Sequence, residues 1–130
     1  MPGTEKPVRR RIVVVGGGFG GAFAVQRLAR RLRAEEAEVL LIDRNNFFVF
    51  HPFLVEAGTG SLPPQHAVVG LRAFTGARGL LMGEFTGADL AGRTVKVRPV
   101  GETATRDLPY DELVLAVGSV TSLPPVPGLR

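Results

Sequence analysis

Gly16, Gly18 and Gly21 stand in the spacing G-x-G-x-x-G, with Gly17 and Gly20 in two of the gaps and Phe19 in a third. Glycines so spaced suit a backbone that turns sharply and is then approached by another molecule. Gly16 permits a tight turn out of a strand. Gly18 leaves room for a pyrophosphate against the main chain, and Gly21 lets a following helix pack closely. The free N–H groups of that helix's first turn, with the positive end of its dipole, would face the anion. Asp43 lies 22 positions beyond Gly21 and can accept hydrogen bonds from ribose hydroxyls. An acid there favours an unphosphorylated adenosine ribose, and it does not separate FAD from NAD. Arg44 could stack on an adenine, bind a phosphate or sit in water.

Glycines are common, so the spacing alone is a weak signal, and the surrounding elements make it specific. Arg11–Val15 is a β-branched run stopped by glycine, which predicts a buried parallel strand. From Phe19 to about Ala34, Val25, Leu28, Ala29 and Leu32 share one helical face. Arg27, Arg30, Arg31 and Arg33 fall mostly on the others. Val39–Ile42 predicts a second strand that closes on Asp43. Strand, turn, helix and strand together have the size of a βαβ unit.

Beyond Asp43 the pattern is less regular. Phe47, Phe48, Phe50 and Phe53 crowd among Pro52, Gly58, Gly60, Pro63 and Pro64, and core packing is the main expectation for these rings. A short helix is expected near Pro52 and another within Ala67–Thr75. Gly79–Phe85 predicts a third strand. Ala91-Gly92, then Thr94–Val97 and an extended piece up to Tyr110, predict a β-meander. Glu112–Val117 reads as a further buried strand. Residues 1–9 are expected to form a disordered arm, and Leu123–Gly128 a stiff linker. The fold class expected is α/β: a Rossmann-like FAD/NAD(P)-binding domain over residues 10–130, its parallel sheet carrying a β-meander insertion.

Composition narrows the chemistry. A chain of 130 residues is the length of one domain. It has no cysteine, which removes disulfides and thiol catalysis. His51 and His66 stand apart, so no metal site is expected. The net charge of +4 comes with clustered arginines, but no aromatic residues interleave with them, and no nucleic-acid partner is expected. No apolar run reaches the roughly 18 residues that a membrane-spanning helix needs.

Three segments carry a resemblance: Arg11-Ile-Val-Val-Val-Gly-Gly-Gly-Phe-Gly-Gly, Val39-Leu-Leu-Ile-Asp-Arg-Asn-Asn and Phe50-His-Pro-Phe-Leu-Val-Glu-Ala-Gly-Thr-Gly-Ser-Leu. They resemble the start of a type II NADH dehydrogenase (NADH:quinone oxidoreductase), a branch of the FAD-dependent pyridine nucleotide-disulfide oxidoreductase superfamily. Tyr110-Asp-Glu-Leu-Val-Leu-Ala-Val-Gly-Ser, followed by Pro127-Gly128, is similar to a segment that closes the first part of the FAD domain there.

The resemblance implies FAD at the glycine turn, with NADH as co-substrate of the whole enzyme and a quinone as electron acceptor. It implies that Gly16–Gly20 meet the pyrophosphate and that Asp43 and Arg44 meet the adenosine ribose. The backbone of Phe85 would lie near the adenine. His51 and Pro52 would approach the flavin, and Ala116 and Gly118 would line the cofactor. No catalytic side chain is implied in this segment, because the flavin supplies the reactive atom.

Two departures are visible. Val117 stands where the superfamily often has threonine, and the cysteine pair of the disulfide reductases is missing. No second G-x-G-x-x-G follows, so the chain is expected to be the N-terminal part of a longer protein, incomplete at its C-terminus. The whole enzyme would then be cytoplasmic, peripheral on the inner face of the membrane through a later region, and compatible with a homodimer. The alternatives are another FAD/NAD(P)-dependent reductase of the superfamily and a non-catalytic, truncated nucleotide-binding module.

Overall fold

The computed structural model describes residues 9–75, 79–120, 122 and 124–128. The expected N-terminal arm, except Arg9, and Leu123 of the expected linker lie outside the described residues.

The first strand, β1 (Arg10–Val15), is apolar on both sides because both of its faces are covered. Val14 packs with α1 (Phe19–Arg31) in one cluster, and Val13 and Val15 pack in another on the opposite face. Ala22 and Val25 of α1 are fully buried against the sheet. The helix stops at Arg31, earlier than the periodicity suggests, because Leu32 is already extended (φ −108°, ψ 133°). The Arg33 N–H donates to Glu36 Oε2 at 2.8 Å and turns the chain into β2 (Ala37–Asp43). That hydrogen bond holds the Glu36 carboxyl below its ordinary pKa.

β2 pairs in parallel with β1, from Arg10↔Ala37 to Val15↔Ile42. Next come β3 (Phe47–Val49), a 3-10 turn at His51–Phe53, α2 (Leu54–Gly58) and a second 3-10 turn at Pro64–Ala67. The helix expected near Pro52 is therefore present as a 3-10 turn leading into α2. The short helix expected within Ala67–Thr75 is present as α3 (Arg72–Thr75), and a strand precedes it. That strand, β4 (Val68–Gly70), pairs antiparallel with β3. The β-branched pair Val68-Val69 finds a strand partner some twenty residues back, which local periodicity does not reveal.

β5 (Gly79–Asp89) runs parallel to β2 as far as Met82 and continues antiparallel to β6 (Thr94–Pro99). β7 (Arg106–Pro109) completes the meander. A register shift between Phe85 and Gly87 bulges β5. Val95 and Val97 of β6 are fully buried and cover the face of β1 and β2 opposite α1.

Asp111 returns the chain to the sheet: its carboxylate accepts the Arg11 N–H at 2.6 Å, and its own N–H donates to the Arg11 carbonyl. β8 (Glu112–Leu115) then pairs with β1. The order is β7-β6-β5-β2-β1-β8. As an edge strand β8 is only half-buried and ends two residues short of Val117, so the buried strand expected over Glu112–Val117 is corrected here. Among the described residues no helix is long and apolar enough to cross a membrane.

The sheet's interior should dominate stability. Leu41→Ala, at a fully buried position, is expected to cost about 2–5 kcal/mol in urea denaturation. Lys96→Ala removes an exposed pair with Asp107 and should cost under about 1 kcal/mol.

Candidate functional site

The turn between β1 and α1 is set by backbone contacts. Gly16 has φ +98°, and its N–H donates to the Ile42 carbonyl at 2.8 Å. A Cβ there would overlap the Ala116 carbonyl oxygen. The Gly17 N–H donates to Asp43 Oδ2 at 2.6 Å, and a Cβ on Gly17 would reach 2.6 Å from Leu71 Cδ1. Asp43 Oδ1 accepts the Asn45 N–H at 2.7 Å. One carboxylate therefore ties the glycine turn to the end of β2 and shapes the exit from that strand.

Gly21 does more than bring α1 close to β1, because a Cβ on it would overlap the Gly16 carbonyl oxygen. The helix thus packs directly on the turn. Gly18, the N-cap of α1, differs: nothing lies within 4 Å of where its Cβ would be. No side chain caps the helix and no acidic residue occupies its first turn. Its leading N–H groups have no intrahelical acceptor. An open approach, free donors and a positive dipole end together fit a pyrophosphate.

Two clefts flank this turn and share Asp43 as a wall. One, of about 320 Å³, is lined by Val15, Gly16, Ile42, Asp43, Arg44, Gly83, Glu84, Phe85 and Val117. The other, of about 250 Å³, lies between Gly17, Gly18 and Phe19 on one side and Asn45, Phe47, Phe48 and His51 on the other.

Most of the residues singled out in the sequence converge here. Gly16, Asp43, Arg44 and Phe85 line the first cleft; Gly18, Phe19, Asp43 and His51 line the second. Gly20 and Ala116 face each other, with 3.5 Å between the Ala116 Cβ and a Cβ placed on Gly20. Gly21 and Ala116 thus pack against the turn and outside both cleft linings. Gly118 has φ +72° and is exposed, and neither cleft includes it.

The aromatic segment divides. Phe48 is buried against α1, its ring 4.8 Å from that of Phe19 and 5.8 Å from Phe74. Phe47 and Phe53 are exposed, so core packing holds only for part of the cluster.

Gly83, Glu84 and Asn45 line the clefts without having been singled out. Gly83 carries a readable signal, a glycine inside a strand, which marks a close approach. A Cβ there would come 2.7 Å from Val97 Cγ1. Glu84 and Asn45 have no such mark.

The chain matches the family described as pyridine nucleotide-disulphide oxidoreductase over residues 10–130. It is 34% identical to the type II NADH:quinone oxidoreductase Ndh of Mycobacterium tuberculosis, over 91% of this chain and 25% of that protein. It is 31% identical to the demethylphylloquinone reductase NdbB of Synechocystis, over 94% and 31%. It therefore spans about a quarter to a third of these relatives. Among solved structures, NDH2 from Plasmodium falciparum in complex with NADH superposes with a TM-score of 0.74 at 26% identity, covering 88% of this chain and 23% of that one. The water-forming NADH oxidase of Lactobacillus brevis, bound to NADH, also gives 0.74 at 26%, covering 92% and 27%.

The different surroundings of the glycines should separate in stability measurements. Gly21→Ala is expected to cost more than about 3 kcal/mol in denaturant unfolding, since backbone must move. Gly18→Ala, in open space with extended dihedrals, should cost under about 1 kcal/mol. Equal costs would contradict the close packing of α1 on the turn.

Proposed function

The chain belongs to the pyridine nucleotide-disulphide oxidoreductase family, and from that premise we propose that it forms the ADP-binding wall of an FAD site in an NADH:quinone oxidoreductase. The observation that carries this reading is the uncapped N-terminus of α1 behind Gly18, set beside the carboxylate of Asp43. The first donates to an anion and the second accepts from a diol, which is the donor and acceptor order of a pyrophosphate followed by a ribose. The quinone branch is supported by the names of two similar relatives.

Each residue then has a task. The main-chain N–H groups after Gly18 bind the pyrophosphate without any side-chain charge. Asp43, already fixed by the Gly17 and Asn45 N–H groups, accepts from ribose hydroxyls through its remaining lone pairs. The main chain at Phe85 borders the adenine, with Arg44 on the same cleft. On the other side of Asp43, Phe19 and His51 line the path toward the flavin. Gly118 would close over the cofactor from the end of β8. When bound, FAD supplies the hydride and electron chemistry, so the protein's part is to bind, orient and exclude water. In the whole enzyme NADH is the electron donor and a quinone the acceptor, with attachment to the membrane surface and any dimer contact outside the site described here.

Binding tests this directly. Calorimetric titration of the chain is expected to show weak FAD and ADP binding, as one wall of a site gives, with FAD binding more tightly than NAD. Equal affinity for FAD and NAD would count against a flavin site. A 2′-phosphate would meet the Asp43 carboxylate as a like charge, so NADP, which differs from NAD only by that phosphate, should bind roughly tenfold more weakly than NAD. Asp43→Asn should narrow that gap.

A further inference from the structure

The cleft on the β5 side of Asp43 contains an acid that the glycine turn does not use. Glu84 lines it beside Gly83 and Phe85. β2 pairs with β5 only as far as Asp43↔Met82. From Gly83 onward β5 pairs with β6 alone, so among the described residues its other edge has no strand partner. An unpaired edge leaves main-chain donors and acceptors available to a ligand.

Glu84 is held in a defined place at this edge. It stands directly opposite Arg98 in the β5–β6 register, and the Arg98 guanidinium donates to Glu84 Oε2. Both side chains are about half-exposed, at 45% each. The pair therefore contributes little to stability by itself. It ties the carboxylate of a residue that lines the cleft to Arg98 on the neighbouring strand. The contact engages Oε2, and among the described residues Oε1 has no hydrogen-bond partner. An ionised carboxylate accepts hydrogen bonds and donates none.

We propose that Glu84, positioned by Arg98, is the residue that selects the base of the nucleotide by accepting a hydrogen bond from the exocyclic amino group of adenine. This rests on the proposed nucleotide site and adds a specificity determinant to it. The chemistry is directional. Adenine presents an amino donor at C6, whereas hypoxanthine and guanine present a carbonyl oxygen there. A carboxylate attracts the first and repels the second, leaving two acceptors face to face. The main-chain edge near Phe85 accepts and donates alike, so the sharper discrimination falls to Glu84. Arg98 acts through Glu84 and is a positioning residue.

The test is titration of the chain and its variants with ADP and with inosine diphosphate, in which a carbonyl replaces the C6 amino group and N1 carries a proton. The unaltered chain should prefer ADP by roughly tenfold or more, the range expected for a hydrogen bond to a charged group. Glu84→Gln can donate as well as accept, and it should bring the two affinities within about threefold, chiefly by improving binding of inosine diphosphate. Arg98→Met should reduce the preference part-way while leaving Glu84 in place. Circular dichroism checks that both variants fold, and the ratio of two ligands on one sample is insensitive to a partly unfolded fraction. An unchanged ratio in Glu84→Gln, with ADP still bound, would overturn this assignment and leave the nucleotide site standing. Failure of the unaltered chain to bind ADP would overturn both.

Discussion

The hydrogen bond from the Gly17 N–H to Asp43, 2.6 Å long, joins the two strand ends on which the site depends. β1 and β2 run in parallel, so their C-terminal ends lie side by side, and a carboxylate at the end of one can fix the turn at the end of the other. The Gly16 N–H to Ile42 carbonyl bond carries the sheet one residue further in the same direction. Helix α1 is then placed by contact: Gly21 sits on the Gly16 carbonyl, closer than any side chain would allow. Turn, helix terminus and acid are thus fixed relative to one another by main-chain contacts and by the hydrogen bonds of the Asp43 carboxylate, and a preorganised site of this kind loses little entropy when a ligand arrives.

The two faces of the sheet do different work around that centre. α1, Phe48 and Leu71 cover one face, and Leu71 also lies under the glycine turn. The meander covers the other through Val95 and Val97. Because β5 belongs to both the parallel sheet and the meander, its departure from β2 after Met82 opens the first cleft next to Asp43. The second cleft is closed by the aromatic residues that follow β2, where Phe48 is anchored in the core and Phe47 faces outward.

Much of the centre was legible in the sequence, because it rests on local signals. A β-branched run, a glycine turn, a 3.6-residue periodicity and an acid ending the next strand are close in sequence, and each has one physical reading. What escaped depends on distant partners. The pairing of Phe47–Val49 with Val68–Gly70 joins segments with no shared period. Which phenylalanines are buried follows from that pairing and from α1, not from their own crowded spacing. The exposure of β8 follows from its place at the sheet edge. Glu84 looked like one more strand residue until its position opposite Arg98 was set by the register of the meander.

The central claim is that the leading N–H groups of α1 bind a diphosphate. Amide chemical shifts in nitrogen-15 NMR spectra test it residue by residue, with ADP and adenosine added in turn. The amides of Gly18, Phe19 and Gly20 should shift strongly with ADP and little with adenosine, while residues bordering the Glu84 cleft respond to both. Shifts of the turn amides that are equal for the two ligands, or absent while ADP binds elsewhere, would contradict the account.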